Sequence, residues 1–404
     1  MNKQTVQTTV REVGILTACD IVIAGGGTAG VAAAVSAARL GMNVVIIEKN
    51  NAFGGLWTNG LVLRLYGTHA YRDGSLVNYM GGIGAELVQM LMSMPGAVRT
   101  FGENCFEPTP DPEAAIYCMD QLCTVSGVTP LFNTMITDVV VCDNQIQAVI
   151  CQSNQGVFAV QAKAFIDCTG DCNLAYLAGD QFRLCTAYQI GLNHILAGIK
   201  DVDDAHLREV YGHPGVMENN DTLWINMTGS KCDFTDVQAM SRLEISHRDK
   251  MWAQLKQLRE LCGSNAPYIT HTATQMGTRV TRVLLAQDYM EYDRAVSGAE
   301  VSRPIGVSGW ANYDGEFKRK MPGYQIPYEI TVSARYQNLW TAGRSVCADD
   351  RIMNNLRLVP NCLITGQGAG VAAALAVKNH VANGAVSAEE LSAALTKQDC
   401  ILML

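Results

Sequence analysis

Hydrophobic residues near the start of the chain fall in two short unbroken runs separated by a segment of small residues. The runs cover residues 21–24 and 44–47 and do not alternate with polar residues, which is typical of strands buried on both faces. The segment 29–40 between them is rich in alanine, and Gly41 follows it as a helix stop. The pattern therefore predicts a strand–helix–strand unit.

The hydrophobic period changes at residue 128. Residues 128–167 alternate apolar and polar side chains around turn signals at 143–144 and 154–156, and they predict three or four antiparallel strands in a meander. Helices are predicted before it over 81–94 and 111–125, the second with Pro112 in its first turn. Residues 1–19 predict an irregular lead-in or a short edge strand.

The pattern of the first unit returns near the end of the chain, after a region rich in aromatic residues and histidines. Residues 338–341 predict a strand, 360–377 a second small-residue helix, and Ser387 the N-cap of a last helix. We therefore predict an α/β fold with a discontinuous Rossmann-like domain over residues 1–180 and 325–404, into which the β-meander is inserted. Residues 181–324 are predicted to form a second, α+β domain that faces the substrate.

Composition narrows the class of protein. Of 404 residues, 48% are hydrophobic and only 17% charged, and the net charge of −8 without a basic run argues against a nucleic-acid partner. No signal-peptide pattern is visible, and the apolar run 362–377 is interrupted by glycines and shorter than a bilayer requires. We expect a soluble, cytoplasmic protein with no membrane span.

The chain has 14 cysteines, and none is part of a C-x-x-C motif. Their spacing matches neither a zinc site nor an iron–sulfur site. Most lie within apolar runs, so we expect free thiols in the core and no metal site.

The glycines after the first predicted strand carry the clearest chemical signal. Gly25, Gly27 and Gly30 give the spacing G-x-G-x-x-G at the start of the predicted helix. They permit, in turn, a tight turn, close approach of the backbone to a pyrophosphate, and close helix–strand packing. Glu48 ends the second strand, where it can accept hydrogen bonds from a ribose and disfavours NADP. The unit predicts a dinucleotide site but does not separate FAD from NAD.

Seven segments, in order along nearly the whole chain, resemble one family. They read DIVIAGGGTAGVAAAVSAARLG, VVIIEKNNAFGG, FIDCTGDCNLAYLAG, QMGTRVTRV, QIPYEIT, NLWTAGR and RLVPNCLITGQGAGVAAALA. The resemblance is to the FAD-dependent oxidoreductases of the glutathione-reductase-like superfamily, in the branch related to fumarate reductase and succinate dehydrogenase flavoproteins. There is no second G-x-G-x-x-G unit for NAD(P)H, which argues against a pyridine-nucleotide disulfide reductase.

The resemblance implies FAD as the cofactor and assigns its contacts by match. The pyrophosphate would lie at Gly25, Gly27, Thr28, Ala29, Gly30, Thr169, Gly170 and Asp171; the adenosine at Glu48, Lys49 and Ile136 or Met135; the flavin and ribityl chain at Gly54, Gly55, Thr58, Gly343 and Arg344. Gly366 and Gly368 would stand at the start of the second small-residue helix and direct its N-terminus at the flavin.

A flavin dehydrogenase usually anchors its substrate and needs a residue that handles the proton. Arg279 and Arg357 are the anchor candidates, and Arg64 is similar, because a guanidinium binds a carboxylate with two parallel hydrogen bonds. Each could instead serve in a structural salt bridge or cap. The candidates for the proton-handling residue are His69, Tyr66 and His271, followed by Tyr188 and His194.

The resemblance implies an FAD-dependent oxidoreductase that transfers a hydride to or from flavin N5. It would dehydrogenate a small to medium polar metabolite or reduce its C=C bond. Two alternatives stay open: an FAD-containing isomerase or hydratase without net redox chemistry, and a flavoprotein subunit that passes electrons to a partner. The expected partners are a small-molecule substrate and an unidentified electron acceptor or donor, and homo-oligomer formation is left open.

Overall fold

The structure, a computed structural model, describes residues 12–99, 108–185, 189–212, 221–227, 229–311 and 321–404. Elements are numbered in chain order. At the centre of the fold is a five-stranded parallel sheet, made from strands that are distant in sequence. In spatial order the strands are β22 (Leu339–Thr341), β12 (Ala164–Asp167), β2 (Ile21–Ala24), β3 (Val44–Ile47) and β8 (Thr129–Leu131). The returning C-terminal segment thus pairs beside the first unit, and the predicted α/β class is confirmed.

The meander is shorter than the predicted range 128–167, because β8 and β12 at the two ends of that range belong to the parallel sheet. Residues 135–161 form a four-stranded sheet together with one strand of the lead-in. Its strands, in spatial order, are β1 (Ile15–Ala18), β11 (Gly156–Gln161), β10 (Gln145–Ser153) and β9 (Met135–Cys142). The last three are antiparallel, whereas β1 runs parallel to β11. Of the two predictions for the lead-in, the edge strand is correct for residues 15–18, and residues 1–11 lie outside the described part.

The two faces of the parallel sheet bury different layers. Ile23 and Ile46 share a core with the helices α1 (Thr28–Ala38) and α9 (Val359–Asn379), whereas Val22 and Val45 share a core with the meander. Alternate residues of each strand therefore face opposite layers, and all must be apolar. This explains why the runs at 21–24 and 44–47 are hydrophobic without alternation.

The remaining helices are α2 (Gly82–Ser93), α3 (Pro112–Val125), α4 (Asn173–Leu177), α5 (Asp204–Tyr211), α6 (Val237–Cys262), α7 (Tyr292–Ser297), α8 (Asp350–Leu356) and α10 (Ala388–Thr396). Several begin where their capping residues predict. Asp111 accepts hydrogen bonds from the N–H groups of Glu113 and Ala114 at the start of α3, and Ser387 accepts one from Glu390 at the start of α10. Short 3₁₀ turns cover Tyr328–Thr331, Gly343–Ser345 and Asn383–Ala385.

The region after residue 181 contains a separate hydrophobic core. Its three-stranded antiparallel sheet has the order β16 (Thr222–Ile225), β15 (His194–Ala197), β18 (Tyr268–Thr272), and α5 and α6 contribute Leu207 and Leu255 to this core. Leu61 and Leu63 of the N-terminal part enter the same core. The domain boundaries at 180 and 325 stay predictions.

Two-stranded pairs complete the described fold. They are β4 (His69–Arg72) with β5 (Ser75–Asn78), β6 (Val98–Arg99) with β7 (Thr109–Pro110), β13 (Phe182–Leu184) with β19 (Arg282–Leu284), β14 (Gln189–Ile190) with β17 (Ser230–Lys231), and β20 (Pro304–Ser308) with β21 (Tyr324–Pro327).

Within the described ranges, no single helix is long and apolar enough to cross a membrane. The helices α8 and α9 pass that test only as a pair bent by 88°, and α9 is buried along most of its length. The described cysteines are all free thiols, and most of them are buried.

Candidate functional site

The glycine turn between β2 and α1 is held by close backbone contacts. Gly25 has a φ of +100°, and a Cβ there would lie 2.6 Å from the carbonyl oxygen of Cys168. A Cβ on Gly30 would lie 1.9 Å from the carbonyl oxygen of Gly25. Both positions require glycine, the first for its dihedral angle and the second for the close packing of α1 on its own turn.

The N-terminus of α1 opens into a cavity. Its N-cap is Gly27, with no side-chain hydrogen bond to the first turn and no acidic residue there. Gly25, Gly27, Thr28 and Ala29 line the cavity wall. Backbone N–H groups and the positive end of the helix dipole therefore face the cavity, and this arrangement binds a phosphate group.

Glu48 stands beside this turn, at the end of β3. Its carboxylate is buried and accepts hydrogen bonds from the N–H groups of Gly26 (2.6 Å) and Asn50 (2.8 Å). Gly54 N–H donates in turn to the Gly26 carbonyl at 2.8 Å. The carboxylate thus joins the glycine turn to the loop that follows β3.

One cavity of about 420 Å³ extends from this turn into the region between α9 and the three-stranded sheet. That volume lies within the range of small-molecule and cofactor sites. Most of the predicted cofactor residues line it: Gly25, Gly27, Thr28, Ala29, Glu48, Lys49, Gly54, Gly55, Thr169, Gly170, Gly343 and Arg344.

Three further predicted residues support the cavity wall from behind. Gly30 packs against the turn as described. The hydroxyl of Thr58 donates to the Phe53 carbonyl at 2.7 Å and shapes the Gly54–Gly55 turn. Asp171 accepts a hydrogen bond from Thr281 at 2.9 Å and pairs with Arg344 at 3.4 Å.

Arg344 is fixed across the cavity wall. Its Nη1 also donates to the carbonyl oxygens of Thr278 (3.0 Å) and Arg279 (2.9 Å). The guanidinium covers Gly170, where a Cβ would lie 2.3 Å from Nη2. Arg344 therefore ties the loop after β12 to the segment that carries Arg279.

The predicted position of Gly366 and Gly368 at the start of their helix is wrong. The helix α9 begins at Val359, so both glycines lie in its interior. A Cβ on Gly366 would lie 2.1 Å from the Ala29 carbonyl oxygen, and one on Gly368 would lie 2.6 Å from Ile305. These glycines allow tight packing, and the start of α9 reaches the cavity through Leu358, Val359 and Cys362 instead.

Ile136 also lies away from the cavity wall. It is paired with Cys151 in the meander and packs half-buried against the core beneath the parallel sheet. The strand that the alternation predicted here is present, but the Ile136 side chain packs against the core between the meander and the parallel sheet.

The second end of the cavity is cationic. Residues 61–66 alternate buried and half-buried positions, and the half-buried Val62, Arg64 and Tyr66 line the cavity. The guanidinium of Arg64 lies 4.4 Å above the Tyr66 ring, and its Nη1 donates to the Tyr66 hydroxyl at 3.3 Å. Arg279 and Arg357 line the same cavity.

The histidine candidates lie elsewhere. His69 is buried outside the cavity wall, bonded through Nδ1 to the Thr68 hydroxyl, and burial lowers its pKa to about 4. His271 is exposed on β18. His194 is fully buried in the core of the three-stranded sheet, and burial lowers its pKa to about 4. Tyr188 lies outside the described residues. Tyr66 is thus the proton-handling candidate that lines the cavity.

Sequence reasoning missed a polar wall of the cavity. It consists of Asn193, Trp224, Asn226 and Gln275 from the three-stranded sheet and Asn354 from α8. Apart from Gln275, which begins the family-like segment QMGTRVTRV, these residues belong to no motif. Only their positions next to the ends of short strands, visible after folding, bring them together.

Two cysteines, Cys168 and Cys362, also line the cavity. Burial raises the pKa of Cys362 to about 11, although the charges of Arg344 and Arg357 oppose this, and raises the pKa of Cys168 well above its ordinary value. Both remain thiols at neutral pH, so neither is an activated nucleophile.

Comparison with known proteins defines the class. The family model described as FAD dependent oxidoreductase matches residues 20–221 and 188–395. The chain therefore belongs to this family: it is an FAD-dependent oxidoreductase, as the sequence predicted. A comparison with curated proteins finds no match.

Two solved structures are similar to this chain at low sequence identity. A geranylgeranyl bacteriochlorophyll reductase-like protein from Thermoplasma acidophilum is 13% identical over 94% of this chain and 83% of its own, with a TM-score of 0.50. The myxobacterial chondrochloren halogenase CndH is 10% identical over 95% and 79%, with a TM-score of 0.48. At 13% identity, the first of these comparisons shows that the two proteins share a fold, and it carries no information about a shared reaction.

The nucleotide end of the cavity fits FAD. The uncapped N-terminus of α1 and the side-chain-free wall at Gly27 suit a pyrophosphate, and Glu48 stands where a ribose is bound in such folds.

Proposed function

We propose that this enzyme dehydrogenates a small or medium polar metabolite that carries an anionic group, or reduces its C=C bond. One observation carries the proposal: a single cavity is lined at one end by the glycine turn and Glu48, and elsewhere by Arg64, Arg279 and Arg357. In this proposal, a cofactor site and a cationic substrate site share one cavity.

The protein's own groups have separate tasks in this proposal. The cofactor is held by Gly25, Gly27, Thr28 and Glu48. Arg344 forms part of the cavity wall and connects it to the segment that carries Arg279. FAD, when bound, supplies the acceptor or donor of the hydride.

The arginines bind and orient the substrate. A guanidinium recognises a carboxylate by two parallel hydrogen bonds, and this interaction fixes the reacting carbon in position. Tyr66 holds or accepts the proton that leaves an O–H or N–H group, because it lines the cavity next to Arg64.

Two finer assignments rest on the sequence motifs. We place the chain in the branch related to fumarate reductase and succinate dehydrogenase flavoproteins, and we assign the substrate-facing role to residues 181–324. The wall formed by Asn193, Trp224 and Gln275 supports the second assignment.

Arginine substitutions test the proposal. A panel of metabolites is first screened for a compound that the enzyme converts. With that substrate, Arg279→Gln and Arg357→Gln should each lower kcat/KM about 100-fold, since each removes a charge-assisted pair of hydrogen bonds. Arg351→Gln is the matched control: it is exposed on α8, close in sequence to Arg357, and pairs with Asp293 at 3.4 Å.

The control should keep wild-type kinetics. If both cavity variants also keep the wild-type kcat/KM while binding FAD normally, the arginines do not anchor the substrate and the proposal is wrong.

A further inference from the structure

The polar wall of the cavity is built at one end of the three-stranded sheet. His194, the first residue of β15, is paired with Ile225, the last of β16, and with Thr272, the last of β18. The residues next to these ends are therefore neighbours, and the Ala273 N–H donates to the Asn193 carbonyl at 2.9 Å. Asn193, Asn226 and Gln275 reach the cavity from this common edge.

Part of this edge holds the segment that leads to Arg64. Asn193 Nδ2 donates to the carbonyl oxygens of Gly60 (3.1 Å) and Leu61 (3.0 Å), and the Trp224 indole N–H donates to Leu61 at 2.8 Å. The Gln275 backbone N–H donates to Asn59 at 3.1 Å. The edge and the arginine-bearing segment are thus fixed relative to each other.

Other polar groups of the edge have no such structural task. Among the described residues, the side-chain amides of Asn226, which is exposed, and of Gln275, which is half-buried, make no hydrogen bond to protein groups, and both line the cavity. The Thr278 hydroxyl lines it too and is buried without a partner in the described part of the chain. A buried hydroxyl without a partner costs free energy unless a ligand or water satisfies it.

Charge and polarity together restrict the ligand. Glu48 is the only acid among the described residues that line the cavity, and its carboxylate is used by Gly26 and Asn50. The arginines therefore favour an anion. Amide groups both donate and accept hydrogen bonds, which suits alcohol groups, whereas an apolar chain would cover the half-buried Gln275 amide and leave the buried Thr278 hydroxyl without a partner.

We propose that the substrate is a hydroxylated carboxylate, such as a hydroxy acid or a sugar acid. Its carboxylate binds at Arg279 and Arg357, and its hydroxyl groups bind at Asn226, Gln275 and Thr278. This inference rests on the proposed function, because it names the substrate class of the same site.

Three six-carbon probes test the inference by binding to the FAD-loaded protein. Gluconate has a carboxylate and hydroxyls, hexanoate only the carboxylate, and glucitol only the hydroxyls. Dissociation constants are measured from the change in the thermal midpoint and in the flavin absorption bands under anaerobic conditions, and glucuronate is added as a cyclic sugar acid. Gluconate or glucuronate should bind at least tenfold more tightly than hexanoate and glucitol.

Variants assign the two parts of the site. Gln275→Ala and Asn226→Ala should weaken binding of the sugar acid several-fold and leave hexanoate binding unchanged, whereas Arg357→Gln should weaken binding of both acids. Gln152→Ala, exposed on β10, is the control that should change nothing.

Hexanoate or glucitol binding as tightly as the sugar acids, or no binding of either sugar acid, would overturn the inference. The proposed function fails in a different way. If an unhydroxylated carboxylate binds and reduces the flavin, the function stands and the substrate class is wrong; if the sugar acids bind but no bound acid ever exchanges electrons with the flavin, the class stands and the function is wrong.

Discussion

The carboxylate of Glu48 connects the two loops that border the nucleotide end of the cavity. Each of its oxygens accepts one backbone hydrogen bond, from Gly26 at 2.6 Å and from Asn50 at 2.8 Å. A buried carboxylate with two such donors holds both loops in place. The residue is therefore needed for the shape of the site as well as for ribose recognition.

Glu48→Gln should weaken FAD binding about tenfold or more. The amide oxygen can accept only one of the two hydrogen bonds, and its NH₂ group faces a backbone N–H that is left unsatisfied, at a cost of about 1–3 kcal/mol. Flavin fluorescence measures the dissociation constant. Glu86→Gln, which removes the exposed pair with Arg39, is the control, and an unchanged constant in Glu48→Gln would contradict this role.

Residue by residue, sequence reasoning succeeded where the chemistry demands one residue type. Gly25 and Gly30 could be predicted because a positive φ and a carbonyl contact at 1.9 Å exclude any side chain. His69 and His271 could not be placed, because one buried and one exposed histidine carry the same signal in a sequence. Arg64 was suggested by its apolar flanks and Tyr66 by its position after the Gly54–Gly55 loop, and both line the cavity.

At the scale of elements, the helices α1 and α9 pack with their backbones in contact. Gly366 and Gly370 of α9 lie one turn apart, and Cβ atoms there would be 2.1 and 2.3 Å from the carbonyl oxygens of Ala29 and Ala33. Close approach of the two helices brings the start of α9 to the start of α1. The shape of the cavity depends on this contact.

Gly370→Ala should lower the free energy of unfolding by about 1–3 kcal/mol, because the added methyl group forces the helices apart. Without that contact, the same substitution in a helix interior raises stability by about 1 kcal/mol, so the sign is diagnostic. Urea titration gives the value. Gly84→Ala in α2, where a Cβ would lie 3.1 Å from the flexible side chain of Met80 and 3.6 Å from that of Leu363, is the graded control.

A Gly370→Ala protein as stable as the wild type would show that α1 and α9 can accommodate a methyl group at residue 370, contrary to the close contact described. The same glycine spacing suits helix packing and phosphate binding, since both exclude side chains. For this reason the sequence placed Gly366 and Gly368 at the cofactor, whereas they lie in the helix interior.

The polar wall was beyond sequence reasoning for a different reason. Asn193, Asn226 and Gln275 meet because three short strands pair in one register, and that register depends on packing of residues far apart in the chain. The strands of the parallel sheet and the small-residue helices were predicted, because their hydrophobic pattern is strong and local.

The described part of the molecule has three hydrophobic cores, and the cavity is lined by residues of the first, such as Ala29, and of the third, such as Trp224. The third core contains a buried histidine, His194, whose pKa burial lowers from 6.5 to about 4. The Tyr211 ring lies 6.1 Å away, between ring centres. Between pH 6.5 and pH 4, His194 is protonated in the unfolded chain but stays neutral in the folded protein, so acid lowers the stability of the folded state.

His194→Gln should flatten the pH dependence of stability. The wild type should lose about 3 kcal/mol more than the variant between pH 7 and pH 4, because a shift of one pKa unit corresponds to about 1.4 kcal/mol. The difference isolates His194 from acids such as Asp167, whose pKa burial raises and which act with the opposite sign. Urea titrations across this pH range provide the measurement.

His271→Gln is the matched control, since His271 is exposed on the same sheet. It should keep the wild-type slope. Equal slopes for wild type and His194→Gln would mean that His194 is not kept neutral by its surroundings.

The central claim is that one cavity holds FAD beside a cationic substrate site. The visible spectrum of the purified protein, recorded under air and then without oxygen during titration with a panel of polar metabolites, tests it most directly. We expect flavin bands from one FAD per chain, bleached by a carboxylate of the panel and restored by an electron acceptor. A protein that neither retains nor binds FAD, or a flavin spectrum that no compound changes, would contradict the account.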